Sequence, residues 1–227
     1  MGYGRMGKAI EKIALDRGHE IVIRKDVEPL DADLSLADVA IDFSHPSAAF
    51  DNIVQCIDAG VPVVSGTTGW LDRYEEARTY CIAKEGAFLY ASNFSIGVNL
   101  FFNLNGYLAR MMSKLKDYEV SMEEVHHIHK LDAPSGTAIT LAQEILRNSE
   151  KSNWSIDKAS DEDLLINVKR QGEVPGTHTV LYDSEVDSIE IRHTAHSRTG
   201  FALGAVVAAE WLRDKKGVFE MSDVLDI

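Results

Sequence analysis

Apolar positions in the first ninety residues switch repeatedly between helical and strand spacing. Helix-like KAIEKIALDRG ends at Gly18, strand-like EIVIRKD follows, and ADVAIDFS (37–44) is a second apolar run with β-branched residues. Helix-like SAAFDNIVQCIDAG ends at Gly60, strand-like VPVVS leads into GTTG, helix-like LDRYEEARTYCIAKEG ends at Gly86, and AFLYAS is the next strand. Each helix is expected to stop at its glycine, where a left-handed residue closes the last turn. Short apolar strands alternating with such helices predict a parallel sheet covered on both faces.

After Asn93 the pattern changes. VNLFFNLNGYLARMMSKL (98–115) has helical spacing, and DYEVSMEEV (117–125) alternates, with Tyr118, Val120 and Met122 on one face of a half-buried strand. TAITLAQEILRNSEK predicts a helix, and LLINVKR, HTVLYDS and DSIEIRHTA predict strands with little helix between them. Residues 150–163 are polar and acidic and predict a surface loop. ALGAVVAAEWLRDKKG (202–217) is a final helix expected to pack back on the first domain. The predicted class is α/β: an N-terminal parallel-sheet domain (1–93 with 206–227) and a C-terminal α+β domain with a mixed sheet (94–205). No internal repeat is found.

Composition narrows the function. With 227 residues, 45% apolar and 26% charged, the chain suits one large or two small domains and argues against disorder. A net charge of −13 argues against nonspecific nucleic-acid binding. It makes the basic residues of EVHHIHKLDAPSGT (124–137) and RHTAHSR (192–198) stand out. Cys56 and Cys81 lie in apolar helical patterns and match no metal or redox spacing, so two buried free thiols and a reducing cytoplasm are expected. No charged-then-apolar leader opens the chain and no apolar run approaches ~18 residues, so neither signal peptide nor membrane span is expected.

GYGRMG (2–7) is a G-x-G-x-x-G that opens a helix, with Asp26 nineteen positions after Gly7 at the end of the next strand. This matches the dinucleotide fingerprint: one glycine for the turn, one for backbone approach to the pyrophosphate, one for helix packing, and an acid for the ribose. The helix N-terminus favours the anion. The fingerprint needs a strand before it, so the native chain is expected to carry several residues ahead of Met1, which intact mass would test. Asp26 favours NAD, with Arg24 and Lys25 close in sequence. GTTG (66–69) and ASNF (91–94) each follow a strand and are expected at the carboxyl ends of the sheet, where ligands bind. There the Thr67 and Thr68 hydroxyls and backbone N–H groups would line the nicotinamide end, unless these are ordinary connecting loops.

The histidine cluster admits several chemistries. Adjacent His126 and His127 point to opposite faces of a strand, His129 can share a side with His127, and only Glu124 and Asp132 are nearby carboxylates. That makes a metal site weak. A Ser135–Lys130 nucleophile pair lacks the nucleophile elbow. DAPSGTAITLAQEI reads as a helix start, with proline in the first turn and Ser135 or Thr137 as cap. The N–H groups of Gly136 and Thr137 would then bind a carboxylate, aided by His127 and Lys130, while one histidine gives a proton. A plain polar loop with capping residues is the bland alternative.

EVHHIHKLDAPSGTA resembles the signature of dihydrodipicolinate reductase. The resemblance runs along the chain through GYGRMG, DFSHP, GTTGW, ASNFSIGVN, GEVPGTHTV, HTAHSRTGFALGAV and GVFEMSDVLDI. It implies an N-terminal Rossmann-type dinucleotide-binding domain and a C-terminal α+β domain whose sheet builds a homotetramer. It also implies NADH- or NADPH-dependent reduction of a cyclic imine dicarboxylate to tetrahydrodipicolinate in lysine and diaminopimelate biosynthesis, in the cytoplasm. By resemblance, His126 is the catalytic proton donor/acceptor and Lys130 the second donor, and His127, Gly136 and Thr137 bind substrate carboxylate. Gly2, Gly4, Arg5, Met6, Gly7, Asp26, Gly66, Thr67, Thr68, Ala91, Ser92, Asn93 and Phe94 are the implied cofactor contacts. The sequence departs from the family in the absent leading strand, in the short segment between HTVLYDS and DSIEIRH, and at Val27, where some members carry arginine. A metal-dependent hydrolase built on His126–His129 and a non-catalytic nucleotide sensor are the competing readings.

Overall fold

The computed structural model describes residues 1–26, 33–156, 160, 162–197 and 199–227. Val27 and part of the expected 150–163 loop lie outside the described residues. In chain order the elements are α1 (Arg5–Asp16), β1 (Ala40–Asp42), α2 (Pro46–Asp58), β2 (Val63–Ser65), α3 (Tyr74–Ala83), β3 (Ala87–Tyr90), α4 (Ile96–Met112) and β4 (Glu119–His126). They continue with α5 (Gly136–Arg147), β5 (Asn153–Ser155), β6 (Asp163–Arg170), β7 (Gly176–Asp183), β8 (Ser188–Ala195), α6 (Thr199–Leu212), β9 (Gly217–Phe219) and α7 (Met221–Leu225). Two compact units result: Met1–Asn99 with Thr199–Ile227, and Leu100–Arg198.

The first unit is the expected parallel sheet, in the order β1-β2-β3-β9. Its strands are apolar on both sides because both faces are covered. Val64 and Leu89 pack with Ile10 and Ala14 of α1 and with Ala205, Ala209 and Leu212 of α6. Val63 and Phe88, one residue out of phase, pack with Ile53, Cys56 and Ile57 of α2 and Ala77 and Cys81 of α3. α6 therefore returns to this unit, as its pattern predicts. Cys56 and Cys81 are both free and buried, and burial pushes their thiols up to about 12 and about 11. Among the described residues no helix is long and apolar enough to cross a membrane.

Three expectations about local structure need correction. Residues 20–26 are not a strand, although exposure alternates along them. The Gly2 N–H donates to the Lys25 carbonyl at 2.8 Å. Beyond that contact the neighbouring space is a cavity of about 150 Å³ lined by Ile10, Ala14, Ile21, Ile23, Val39 and Ile41, among others, so among the described residues no adjacent backbone completes a ladder. The third helix does not close on a left-handed glycine: Gly18 (φ 89°) and Gly60 (φ 72°) do so for the first two, but Glu85 (φ 52°) takes that role before Gly86. Gly86 is small for packing reasons, since a Cβ there would stand 3.2 Å from Ile57 Cγ2. Within 150–163, Asn153–Ser155 forms β5, parallel to β6, and Trp154 packs against the second core.

The second unit has a mixed sheet in the order β5-β6-β4-β7-β8, with β6 parallel to β4 and β7 antiparallel to both β4 and β8. Val120 and Met122 alternate into a core shared with Phe101 and Leu108 of α4, Leu141 and Ile145 of α5, and Val180 and Tyr182 of β7, and Tyr118 packs against it. The opposite face carries polar neighbours, including Lys169 paired with Glu123 at 2.5 Å and Arg192 donating to Thr179 at 3.2 Å. β9 and α7 span three and five residues, too short for periodicity to reveal.

Candidate active site

The glycine loop of the first unit is shaped by steric need. A Cβ on Gly2 would lie 2.1 Å from the Phe43 carbonyl oxygen and one on Gly7 would lie 2.2 Å from that of Gly2, whereas nothing stands within 4 Å of a Cβ at Gly4. Gly4 is the N-cap of α1 and offers no side-chain cap. The first-turn N–H groups of Arg5, Met6 and Gly7 therefore face an approachable surface, which fits a pyrophosphate. Arg5 is exposed, while Met6 leans on the apolar core. Asp26 is exposed at the end of the alternating segment.

The loops after β1, β2 and β3 share one edge of this sheet, because the strands are parallel. Asp42 ties the first two of them together. It is fully buried, and its carboxylate accepts from Ser44 Oγ (2.8 Å), Asn52 Nδ2 (2.8 Å), Thr67 Oγ1 (2.7 Å) and Ser65 Oγ (3.2 Å). The Thr67 hydroxyl also accepts from the Ser44 N–H at 2.8 Å, so it is turned inward rather than lining the sheet edge. Thr68 and Ser92 are exposed, Gly66, Ala91 and Asn93 are half-buried, and Asn93 Oδ1 accepts from the Ser95 N–H at 2.9 Å. The Phe94 ring is buried against Phe43 at 5.5 Å between centroids.

The second unit assembles the histidine stretch at the end of β4. His126 is the last strand residue and is buried; the chain then turns, with the Lys130 N–H donating to the His127 carbonyl at 3.1 Å. The His127 and His129 rings lie 6.0 Å apart, as expected, and exposed His129 pairs with Glu173 at 3.1 Å. Lys130 Nζ donates to both Asp132 oxygens at 2.8 Å. Ser135, not Thr137, is the N-cap of α5, its hydroxyl accepting from the Ala138 N–H at 3.2 Å. Pro134 precedes the cap, joined to Ala133 by a cis bond, rather than sitting in the first turn. Gly136 and Thr137 occupy the first turn, where N–H groups have no intrahelical acceptor, and a Cβ on Gly136 would meet nothing within 4 Å.

A buried carboxylate holds this end together too. Glu124 Oε2 accepts from the Ser135 N–H at 2.9 Å, and Glu124 Oε1 from Arg170 Nη1 and Nη2 at 3.1 and 3.2 Å. Arg170 also donates to the carbonyls of Lys130 (3.2 Å) and Asp132 (2.6 Å), clamping the turn. His178 of β7 meets Ser135 Oγ at 3.1 Å and stacks edge-on to His126 at 5.1 Å. Burial alone would raise the Glu124 carboxyl; Ser135, His126 and Arg170 outweigh it and hold the group below its ordinary range. Burial lowers His126, with Glu124 opposing, and pushes His178 down to about 4. Both imidazoles are thus neutral at pH 7, and their 3.8 Å approaches to Glu124 are not ion pairs.

The metal reading on His126–His129 does not assemble. The described residues that converge within 4.8 Å are instead Glu124, His126 and His178. There the carboxylate is already taken by a guanidinium and a backbone N–H, and a divalent cation would have to sit beside that guanidinium. The Ser135–Lys130 pair does not assemble either, since Ser135 meets His178 and Lys130 meets Asp132.

Family comparison bears on both ends. Residues 13–94 match the model described as dihydrodipicolinate reductase, N-terminus, and residues 97–225 match dihydrodipicolinate reductase, C-terminus. The chain belongs to the dihydrodipicolinate reductase family. A 4-hydroxy-tetrahydrodipicolinate reductase of Christiangramia forsetii is 58% identical over 228 residues, covering 99% of this chain and 95% of that protein. One of Neisseria meningitidis is 32% identical, covering 96% and 84%. The fold matches the dipicolinate-bound dihydrodipicolinate reductase of Paenisporosarcina sp. TG-14 with a TM-score of 0.79 at 22% identity, over 96% of this chain and 94% of that one.

For this reductase-family chain, the residues that sequence reading missed are Asp42, Arg170 and His178, together with the role of Glu124. Glu124 left one signal: it shares the parity of Val120 and Met122, so a carboxylate falls on the buried register of β4. His178 and Arg170 left none, being 43 and 46 residues from the Ser135 and Glu124 they contact.

Proposed function

We propose that this chain reduces 4-hydroxy-tetrahydrodipicolinate to tetrahydrodipicolinate with NADH or NADPH, in the lysine and diaminopimelate route of the cytoplasm. Residues 1–93 with 206–227 form the dinucleotide-binding part, and 94–205 the substrate-binding and oligomerisation part. The observation that carries the reading is the α5 N-terminus. Its first-turn N–H groups are open at Gly136 and capped from behind by Ser135, in the same stretch as His126 and Lys130. A cyclic dicarboxylate suits such a cradle, because backbone N–H groups and the helix dipole favour a carboxylate.

In this reading Gly136, Thr137 and His127 bind substrate carboxylate. His126, neutral through burial, accepts and returns a proton, and Lys130, tethered by Asp132, supplies the second donor. Gly2, Gly4, Arg5, Met6 and Gly7 hold the pyrophosphate, Asp26 the ribose, and Gly66, Thr67, Thr68, Ala91, Ser92, Asn93 and Phe94 the nicotinamide side. A bound nicotinamide supplies the hydride. Assembly as a homotetramer through the β4–β8 sheet is supported by its face opposite α4 and α5, where Glu123, Lys169, Thr179 and Arg192 sit.

The test is loss of NAD(P)H absorbance that depends on the cyclic dicarboxylate. His126→Gln and Lys130→Ala should each lower turnover by about 10² or more while cofactor binding persists. Wild-type turnover by both variants would overturn the site assignment, and inactivation by chelators would revive the hydrolase reading.

A further inference from the structure

Asp26 has two basic neighbours in sequence, and the structure shows where each is engaged. Exposure alternates from Glu20 to Asp26, which puts Arg24 and Asp26 on one side and Lys25 on the other. Lys25 Nζ is held by two amide oxygens of α2, Asn52 Oδ1 at 2.6 Å and Gln55 Oε1 at 3.1 Å. Arg24 is held by Glu11 of α1: its Nε donates to Glu11 Oε1 at 2.9 Å and its Nη2 reaches the same oxygen. The other Glu11 oxygen accepts from the hydroxyl of Tyr3, a residue of the glycine loop itself. The Arg24 guanidinium also sits 5.9 Å from the Tyr3 ring centroid, with Lys8 at 5.8 Å from the same ring. Glu11 is the better buried partner, its side chain 14% exposed against 48% for Arg24. The sequence from Asp26 to Asp33, DVEPLDAD, holds four carboxylates and no cation.

We infer that Glu11 is a specificity-determining residue that makes this chain select NADH over NADPH, by holding Arg24 away from a 2′-phosphate and adding its own carboxylate to the Asp26 corner. The inference rests on the dinucleotide reading above. A 2′-hydroxyl needs only an acceptor, which Asp26 provides. A 2′-phosphate needs a cation, and the nearest one in sequence to Asp26 on its side of the segment, Arg24, is taken by Glu11. To serve it, Arg24 must leave Glu11, which exposes a second anion to the phosphate.

Direct binding of NADH and NADPH, followed by protein-to-nicotinamide fluorescence transfer, tests this together with kcat/KM for both cofactors. The set is the full-length wild type, E11Q, R24A and the double variant. Wild type should bind NADH about tenfold or more tightly than NADPH, and E11Q should shift the ratio toward NADPH by about tenfold, as expected for removing one nearby charge and freeing another. In the E11Q background, where the guanidinium is free to meet the phosphate, R24A should weaken NADPH binding several-fold. Preference for NADPH in the wild type, an unmoved ratio in E11Q, or NADPH binding by the double variant equal to that of E11Q would each overturn the inference. If E11Q does not fold, 5′-ADP against 2′,5′-ADP on the wild type decides the same point. Failure of both dinucleotides to bind, or binding without substrate-dependent oxidation, would instead bring down the proposed function.

Discussion

Glu124→Gln is the most informative single change in the second unit. The side chain is fully buried and receives three donors: the Ser135 N–H at 2.9 Å and two Arg170 nitrogens at 3.1 and 3.2 Å. Glutamine keeps the shape but has one acceptor oxygen. Its amino group must face either Ser135 or Arg170, and both are donors, so one contact becomes donor against donor. A hydrogen bond to a charged group contributes about 1.5–3 kcal/mol, and breaking a fully buried pair costs about 3–5 kcal/mol. Arg170 is 21% exposed and keeps its bonds to the Lys130 and Asp132 carbonyls, so it can recover some hydration. The expected loss is therefore about 3 kcal/mol, read as a lower urea midpoint with an unchanged slope.

A purely structural role would stop there. Glu124 also opposes the burial that lowers His126, so removing its charge should lower the imidazole further. The acidic limb of the kcat profile should move to lower pH in E124Q, with KM for the dinucleotide unchanged. A urea midpoint and a pH profile both indistinguishable from wild type would refute the reasoning.

Two further outcomes are expected. Burial holds His178 at about 4, below the ~6.5 of an unfolded histidine, so the unfolded chain takes up the proton first and stability falls as pH drops through that window. From pH 7 to pH 5 the loss should be about 2 kcal/mol, and His178→Gln should reduce it; equal losses in both proteins would contradict the assignment. Gly204→Ala places a Cβ 1.7 Å from the Phe94 carbonyl oxygen, backbone against backbone. That overpacking should cost about 3 kcal/mol or more, visible as a lower melting temperature, and an unchanged melt would show that α6 shifts freely.

Most of the architecture was legible because both periods are strong where they matter. The covered parallel sheet follows from strands such as VPVVS and AFLYAS, which are apolar on consecutive residues. The mixed sheet follows from Tyr118, Val120 and Met122, which alternate. Pattern failed where pairing, not composition, decides the element. EIVIRKD has every strand-forming residue, yet only Lys25 finds a backbone partner among the described residues of that side. NWS in the polar stretch becomes β5 because Trp154 reaches a core that β6 already edges. Glu85 closes α3 because Gly86 is needed against Ile57, a constraint from another helix.

The site was legible in its loops and illegible in what fixes them. Among the described residues each unit holds one fully buried carboxylate, Asp42 in the first and Glu124 in the second, and each sits at or near the end of a strand where the register calls for an apolar residue. An unpaired charge there would be prohibitive, so its donors must come from nearby polar groups, and the loops supply them. Asp42 draws in Ser44, Ser65 and Thr67; Glu124 draws in Ser135 and, through Arg170, the carbonyls of 130 and 132. Loops with few backbone bonds of their own are thereby given fixed positions at the two candidate ends. The same logic makes Glu11 informative: a half-buried carboxylate that bonds Tyr3 and Arg24 ties the glycine loop to the segment bearing Asp26. The buried anions are thus the organisers of the loops proposed to bind cofactor and substrate. Their neutral isosteres should disturb function more than the exposed carboxylates that dominate its net charge.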